Sequence, residues 1–258
     1  MYTLGIDIGS TTSKCVILKD GQDIVGTSIV VAGTGTDGPA KALADVLADA
    51  KISKEDIAMT IATGYGRKIY GGAHGEVSEL SCHARGVHHV FPDVRTIIDI
   101  GGQDAKVMAI NDQGRMSNFL MNDKCAAGTG RFLDVMAGIL QLKIEDLEVQ
   151  AAQAKQVVKI SSTCTVFAES EVISQLANGV ETPDLVAGIC QSVAVRVGSL
   201  AKRIGIREKV CMSGGVARNG GVRDAMAREL GVEIHYSPIA QLMGALGAAL
   251  YAYDKASK

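Results

Sequence analysis

No stretch of this 258-residue chain stays apolar for the ~20 residues that a bilayer crossing needs. Its first ten residues, MYTLGIDIGS, place the polar Asp7 where a secretory leader is apolar. Both features argue against a membrane or secreted role. A basic tract is also missing: 26 Lys+Arg stand against 28 Asp+Glu, a formal net charge of −2. That balance argues against nucleic acid as the main partner. The six cysteines include no CxxC pair or other dense pattern, so they do not read as an extracellular disulfide framework. A cytoplasmic location is expected, in which a special cysteine is a metal ligand or a redox thiol. Neither the Walker A pattern nor GxGxxG occurs, and no Pro/Ser-rich linker divides the chain.

What is present is a folded composition, 47% hydrophobic and 21% charged. The length suits two lobes with large cores. Apolar segments at residues 3–8, 14–18 and 24–32 read as strands, with a tight turn at Asp20-Gly21. Leu43, Val46, Leu47 and Ala50 recur at helical spacing after Pro39. A strand at 57–62 ends in the turn Thr63-Gly64-Tyr65-Gly66, and residues 76–90 read as a helix stopped by Pro92. Further on come a hairpin through 111–114 and helices at 130–140, 169–178 and 184–204. Strand 210–213, a helix within 219–230, strand 232–236 and a helix at 239–253 complete the series. Strands alternating with helices indicate an α/β fold.

The opening pattern returns: DIGSTTSK at 7–14 is matched by DIGGQDAK at 99–106, so that Asp7, Gly9 and Lys14 correspond to Asp99, Gly101 and Lys106. Both copies follow an apolar strand and precede another, which reads as an internal duplication. The expected organisation is an N-terminal lobe at 1–94 and a C-terminal lobe at 95–239, with the helix at about 240–258 packing back on the first. A Ser/Thr/Gly turn between strands offers backbone N–H groups and hydroxyls to phosphate oxygens, and Lys14 adds a charge. Asp7 and Asp99, two opposed carboxylates, suit an aquated Mg²⁺. A third glycine element, Ser213-Gly214-Gly215-Val216-Ala217, would let a nucleoside approach the backbone.

These three elements together resemble the phosphate-1, phosphate-2 and adenosine motifs of the actin, Hsp70 and sugar-kinase superfamily. The resemblance implies two RNase-H-like lobes closing over ATP in a cleft. Within that frame Gln103 can orient an attacking water, while the adjacent Asp104 keeps a general base available. Hydrolysis is favoured over transfer to a small molecule.

Cys15, Cys190 and Cys211 fall in strands or the long helix and read as core residues. Cys82 sits near His83, His88 and His89, which read as an exposed helix face. Cys125 and Cys164 differ, each lying in a polar loop just before a helix, where the helix dipole favours a thiolate. Spacing alone leaves open a cluster, a disulfide or an inert pair. A [4Fe–4S] cluster needs four thiolates, which a symmetric homodimer of this chain would supply.

The runs NDKCAAGTGRFLDVMA and SSTCTVFAESEVISQLANG, between DIGGQDAK and MSGGVARNGG, resemble the activator components of 2-hydroxyacyl-CoA dehydratases, relatives of the benzoyl-CoA reductase ATPase subunits. The resemblance spans essentially the whole chain. It implies an ATP-hydrolysing, low-potential electron donor: a homodimer with one [4Fe–4S] cluster held by Cys125 and Cys164 of each copy. Such a donor takes its electron from ferredoxin or flavodoxin and passes it to the dehydratase. The resemblance carries ATP/ADP phosphate contacts to Ser10, Thr11, Thr12, Ser13, Lys14, Gly102 and Gln103, and nucleoside contacts to Gly214, Gly215 and Gln241. A small-molecule kinase of the same superfamily is the rival enzyme, and a nucleotide-switched chaperone or scaffold is a second rival that would need an additional peptide-binding domain.

Overall fold

In the computed structural model, which describes residues 1–161 and 164–258, an antiparallel meander opens the chain: β1 (Tyr2–Ile8), β2 (Ser13–Lys19) and β3 (Asp23–Val30). Asp20 and Gly21 both take left-handed φ values, +53° and +70°, as a tight hairpin turn between right-twisted strands requires. Helix α1 (Gly38–Ala50), with Pro39 in its first turn, leads to β4 (Ile57–Thr63), which pairs parallel with β1. The short β5 (Gly75–Glu76) pairs with β4, and α2 (Glu79–Val90) follows. The helix starts later than the pattern suggests because Ser78 caps it, its Oγ accepting the Ser81 N–H at 3.2 Å.

The second half repeats the plan. β6 (Thr96–Ile100), β7 (Ala105–Ile110) and β8 (Met116–Asn122) are followed by four helices: α3 (Gly130–Ile139), α4 (Asp146–Ala152), α5 (Thr165–Ala177) and α6 (Thr182–Ile204). Then come β9 (Val210–Ser213), α7 (Gly220–Leu230), β10 (Ile234–His235) and α8 (Met243–Ala256). The strand orders are β3-β2-β1-β4-β5 and, read from the same end, β8-β7-β6-β9-β10. Asp7 pairs with Lys14 across β1 and β2, and Asp99 with Lys106 across β6 and β7. The duplicated sequence pattern is therefore a duplicated sheet. α4 and α5 also depart from the sequence reading. α4 was not anticipated because only Leu147 of its two turns is buried. α5 begins at Thr165 rather than 169, its first turn hidden by the β-branched and aromatic Thr-Val-Phe.

The chain forms two units, one of Met1–Asp93, Ile110–Met116 and Gln241–Lys258, the other of Val94–Ala109 and Ser117–Ala240. In the first, alternation along β1 sends Leu4, Ile6 and Ile8 into a core with Ala42 and Val46 of α1. Ile61 of β4 faces the opposite way, onto Cys82, Ala248 and Ala252 of α2 and α8. α2 lies against α8, so His83 is buried, 4% exposed, and only His89 of the three histidines is fully on the surface. The expected exposed histidine face is corrected accordingly. In the second unit Ile98, Ile100, Val107, Val210 and Met212 pack on α3, α5, α6 and α7. α6 has the length and composition of a membrane-crossing helix, contrary to the sequence reading, but 72% of its apolar window is buried here in that core.

Glycine permits the α8 packing. A Cβ at Gly5 would overlap the Ala245 carbonyl oxygen, one at Gly86 the Met243 carbonyl, and one at Gly247 the Cys82 carbonyl. Backbone thus touches backbone where β1, α2 and α8 meet. Gly247→Ala is expected to lower unfolding stability by about 1–3 kcal/mol, the range for overpacking a closed core, as read by chemical denaturation; an unchanged midpoint would refute this packing.

Candidate functional site

Two hairpin turns, one per unit, share an arrangement of hydrogen bonds. In the first, Gly9 N donates to Thr12 O at 2.9 Å, closing the turn. The turn is then held from behind. Ile8 O accepts from Gly66 N at 2.8 Å, and Gly9 O accepts from Thr34 N at 2.9 Å. A Cβ at Gly33 would overlap the Ser10 carbonyl, and one at Gly64, which has φ +85°, would overlap the Asp7 carboxylate. With these carbonyls satisfied from the rear, the amides of Ser10, Thr11 and Thr12 have no backbone acceptor among the described residues. Such a run of unspent N–H groups is an anion-binding concavity.

The second turn repeats this. Gly101 N donates to Asp104 O at 2.9 Å, while Gly101 O and Gly102 O accept from Gly130 N and Arg131 N, each at 2.8 Å. The amides of Gly102 and Gln103 remain unspent among the described residues. Here the rear support is the N-terminus of α3. A Cβ at Gly214 (φ +84°) would overlap the Ile100 carbonyl, and Gly214 N donates to Ala240 O at 3.0 Å. Gly214 therefore has a packing reason to be glycine, independent of a bound nucleoside. Gly215 follows at the start of a 3₁₀ turn, and half-buried Gln241 is the next residue after Ala240.

Each turn is flanked by a buried carboxylate. Lys14 Nζ lies 2.8 Å from Asp7 Oδ2, with the side chains only 10% and 3% exposed. Asp99 Oδ1 accepts from Ser213 Oγ at 2.8 Å, and Lys106 Nζ lies 3.5 Å from Asp99 Oδ2. Lys106 also bonds Asp104 Oδ1 at 2.9 Å. Asp104 is thus held by an ammonium, whereas the neighbouring Gln103 is exposed and its amide has no partner among the described residues. Of the hydroxyls, Thr11 is exposed and Ser10 and Thr12 are half-buried. Ser13 is buried behind the turn, its Oγ donating to Ala32 O at 2.8 Å, which commits that proton to the protein. Sequence reasoning missed the roles of Gly33, Gly64 and Gly66 and the bond from Ser213, named only as the start of the third glycine element, to Asp99. The glycine run at 63–66 was visible only as a strand-ending turn.

The cysteines divide by burial. Cys15, Cys82, Cys190 and Cys211 are buried, and burial pushes each thiol up to about 12. Cys125 and Cys164 are the two partly exposed ones. Cys164 is the N-cap residue of α5 and its side chain makes no capping hydrogen bond; Ser162 and Thr163, within the second cysteine run, lie outside the described residues. Cys125 sits in a loop that Asn122 holds, its Nδ2 donating to Cys125 O at 2.9 Å and Ala127 O at 3.2 Å. In iron-free protein at pH 8, a thiol reagent is expected to titrate two cysteines per chain before unfolding and all six after it. Rapid native reaction at four or more would contradict the burial pattern.

Residues 4–252 match the BadF/BadG/BcrA/BcrD ATPase family. The (R)-2-hydroxyglutaryl-CoA dehydratase activating ATPase of Acidaminococcus fermentans is 61% identical over 259 residues, covering 100% of this chain and 99% of its own. A solved structure, the activator of the 2-hydroxyisocaproyl-CoA dehydratase from Clostridium difficile with bound ADPNP, superposes with a TM-score of 0.98 at 57% identity, covering 100% of this chain and 96% of that one. A ROK family glucokinase from Streptomyces griseus shares the fold alone, with a TM-score of 0.61 at 13% identity over 98% of this chain and 100% of its own. With a family match over nearly its whole length and an ATP-analogue-bound relative of almost the same backbone, this chain belongs to the BadF/BadG/BcrA/BcrD ATPase family.

Proposed function

We propose that the protein hydrolyses ATP to drive one electron at a time into a 2-hydroxyacyl-CoA dehydratase, as the activator of that enzyme. The observation that carries this reading is the direct hydrogen bonding of the second phosphate turn to the start of α3, five residues after Cys125. A shift of the Gly101-Gly102 carbonyls on nucleotide binding or hydrolysis moves the α3 N-terminus, and with it the thiol loop. Whole-length likeness to the two dehydratase activators described above supports the choice of partner.

In this reading the unspent amides of Ser10, Thr11, Thr12, Gly102 and Gln103 receive phosphate oxygens, with Lys14 adding positive charge. Gly214, Gly215 and Gln241 take the nucleoside. Asp7 and Asp99 are the penultimate residues of β1 and β6, and they are the carboxylates that would hold an aquated Mg²⁺. Gln103 orients the water whose oxygen attacks the γ-phosphorus as the bond to the β-phosphate oxygen breaks. Asp104 is a poorer candidate for the base because Lys106 occupies its carboxylate. That arrangement also weighs against the kinase alternative, which needs a carboxylate ready to take a proton from an acceptor hydroxyl.

Cys125 and Cys164 fit the donor set of a [4Fe–4S] cluster. They are the two partly exposed thiols, and a cube that needs four thiolates is completed by a second copy across a two-fold axis. Bound there, the cluster would accept and release a single electron, supplied by a ferredoxin or flavodoxin. The chain's own contribution is to hold Cys164 at the N-cap of α5 and Cys125 in the loop that leads into α3. Cytoplasmic residence accords with free thiols.

Anaerobically reconstituted protein is expected to hold four irons per dimer and to activate a purified 2-hydroxyacyl-CoA dehydratase in the presence of ATP and a reduced donor. Cys125→Ala is expected to lose both iron and activation; retention of both would overturn the cluster assignment. Gln103→Ala is expected to bind ATP normally and hydrolyse it about 10²-fold more slowly, in line with a lost water-positioning group. Wild-type turnover would remove that role.

A further inference from the structure

The end of β8 and one face of α6 border a half-open hollow of about 320 Å³ in the second unit, lined by Met121, Asn122, Arg196, Ser199, Leu200 and Arg203. None of these residues belongs to a phosphate turn or carries a thiol. Arg196, Ser199 and Arg203 recur at the i, i+3, i+7 spacing that places side chains on one helix face. Neither guanidinium has a carboxylate partner among the described residues. Two uncompensated cations converging on one hollow are conspicuous in a chain whose net charge is −2. The strand end adds exposed apolar side chains. Phe119 and Met121 share a face of β8, the outermost strand of its sheet, and are 40% and 39% exposed. Arg, Phe and Met together make the composition that is enriched at protein interfaces.

The cavity is also joined to the thiol loop. Asn122 both lines it and, through Nδ2, holds the Cys125 and Ala127 carbonyls. Gly128 (φ +85°) seats the same loop on α6, where a Cβ would lie 2.8 Å from Arg196 Cγ. Whatever occupies the hollow therefore sits against the support of Cys125.

We propose that this face is where the dehydratase docks, with carboxylates of its surface entering the cavity between Arg196 and Arg203. The proposal rests on reading Cys125 as part of the electron's exit. Transfer requires the acceptor to come close to the thiol loop, and this is a cationic, apolar-rimmed surface continuous with that loop. Guanidinium forks match carboxylates bidentately, and an acidic partner face compensates charges that an apolar or basic face would leave desolvated.

The test titrates reconstituted activator dimer into dehydratase at low and high salt, following both complex formation and activation. Arg203→Glu and the double variant Arg196→Gln/Arg203→Gln are expected to raise the activator concentration for half-maximal activation by about tenfold or more and to flatten its salt dependence. Iron content, dimer mass and ATP hydrolysis without dehydratase should stay at wild-type values, and Arg203→Lys should restore most of the binding. Unchanged binding and salt slope in the double variant overturn the proposal while leaving the activator reading intact. Loss of dimer mass in Arg203→Glu overturns it in favour of a contact between copies. Weaker binding to the reduced electron donor alone, or to inorganic phosphate alone, overturns it in favour of those occupants. If wild-type protein binds no dehydratase, the activator reading fails, and the docking proposal with it.

Discussion

A backbone turn can cradle an anion only if its carbonyl oxygens are turned away and satisfied elsewhere. Both units of this protein meet that requirement. In the first, Ile8 and Gly9 surrender their carbonyls to Gly66 and Thr34; in the second, Gly101 and Gly102 surrender theirs to Gly130 and Arg131. Each rear contact is close enough that a side chain would intrude at Gly33, Gly64 or Gly214. The strands beneath are buried on every residue of β6 and β7, so the turns are presented on a rigid support. The flanking carboxylates are buried with them and neutralised locally by Lys14 and Lys106, which avoids the large penalty of an unpaired buried charge.

The two copies have diverged in what stands behind the turn. Loop residues brace the first. A helix terminus braces the second, and that helix carries the chain directly back to Cys125. The repeated sheet and turn thereby carry a one-sided connection, from the second turn to the loop of Cys125. The connection is two backbone hydrogen bonds, so it depends on main-chain position rather than on any particular side chain.

Burial sorts the six cysteines with similar economy. Four are small core residues whose thiols are kept protonated by desolvation. The remaining two stand at or near helix starts and are partly open to solvent. Nothing in the residue type distinguishes Cys211 from Cys164; their surroundings do.

Local and repeated features were legible in the primary structure: the strands at β1, β2 and β9, the Pro-started α1, the Asp20-Gly21 hairpin, and above all the recurrence of DIG with a lysine at the same later position. These depend on periodicity, turn chemistry and neighbours close along the chain, which a linear string records. The start of α5, the existence of α4 and the burial of His83 were not legible, because weak local propensity was overridden by packing on distant elements. The same holds at the site. Residue types could nominate Asp104 and Gln103 equally, whereas only folding brings Lys106 onto Asp104 and leaves Gln103 open. Ser213 meets Asp99 across more than a hundred residues, and Arg196 meets Gly128 across sixty-odd. Sequence order carries the chemistry each residue can perform; which groups remain unspent is settled by hydrogen bonds and contacts that form only once the sheets are assembled.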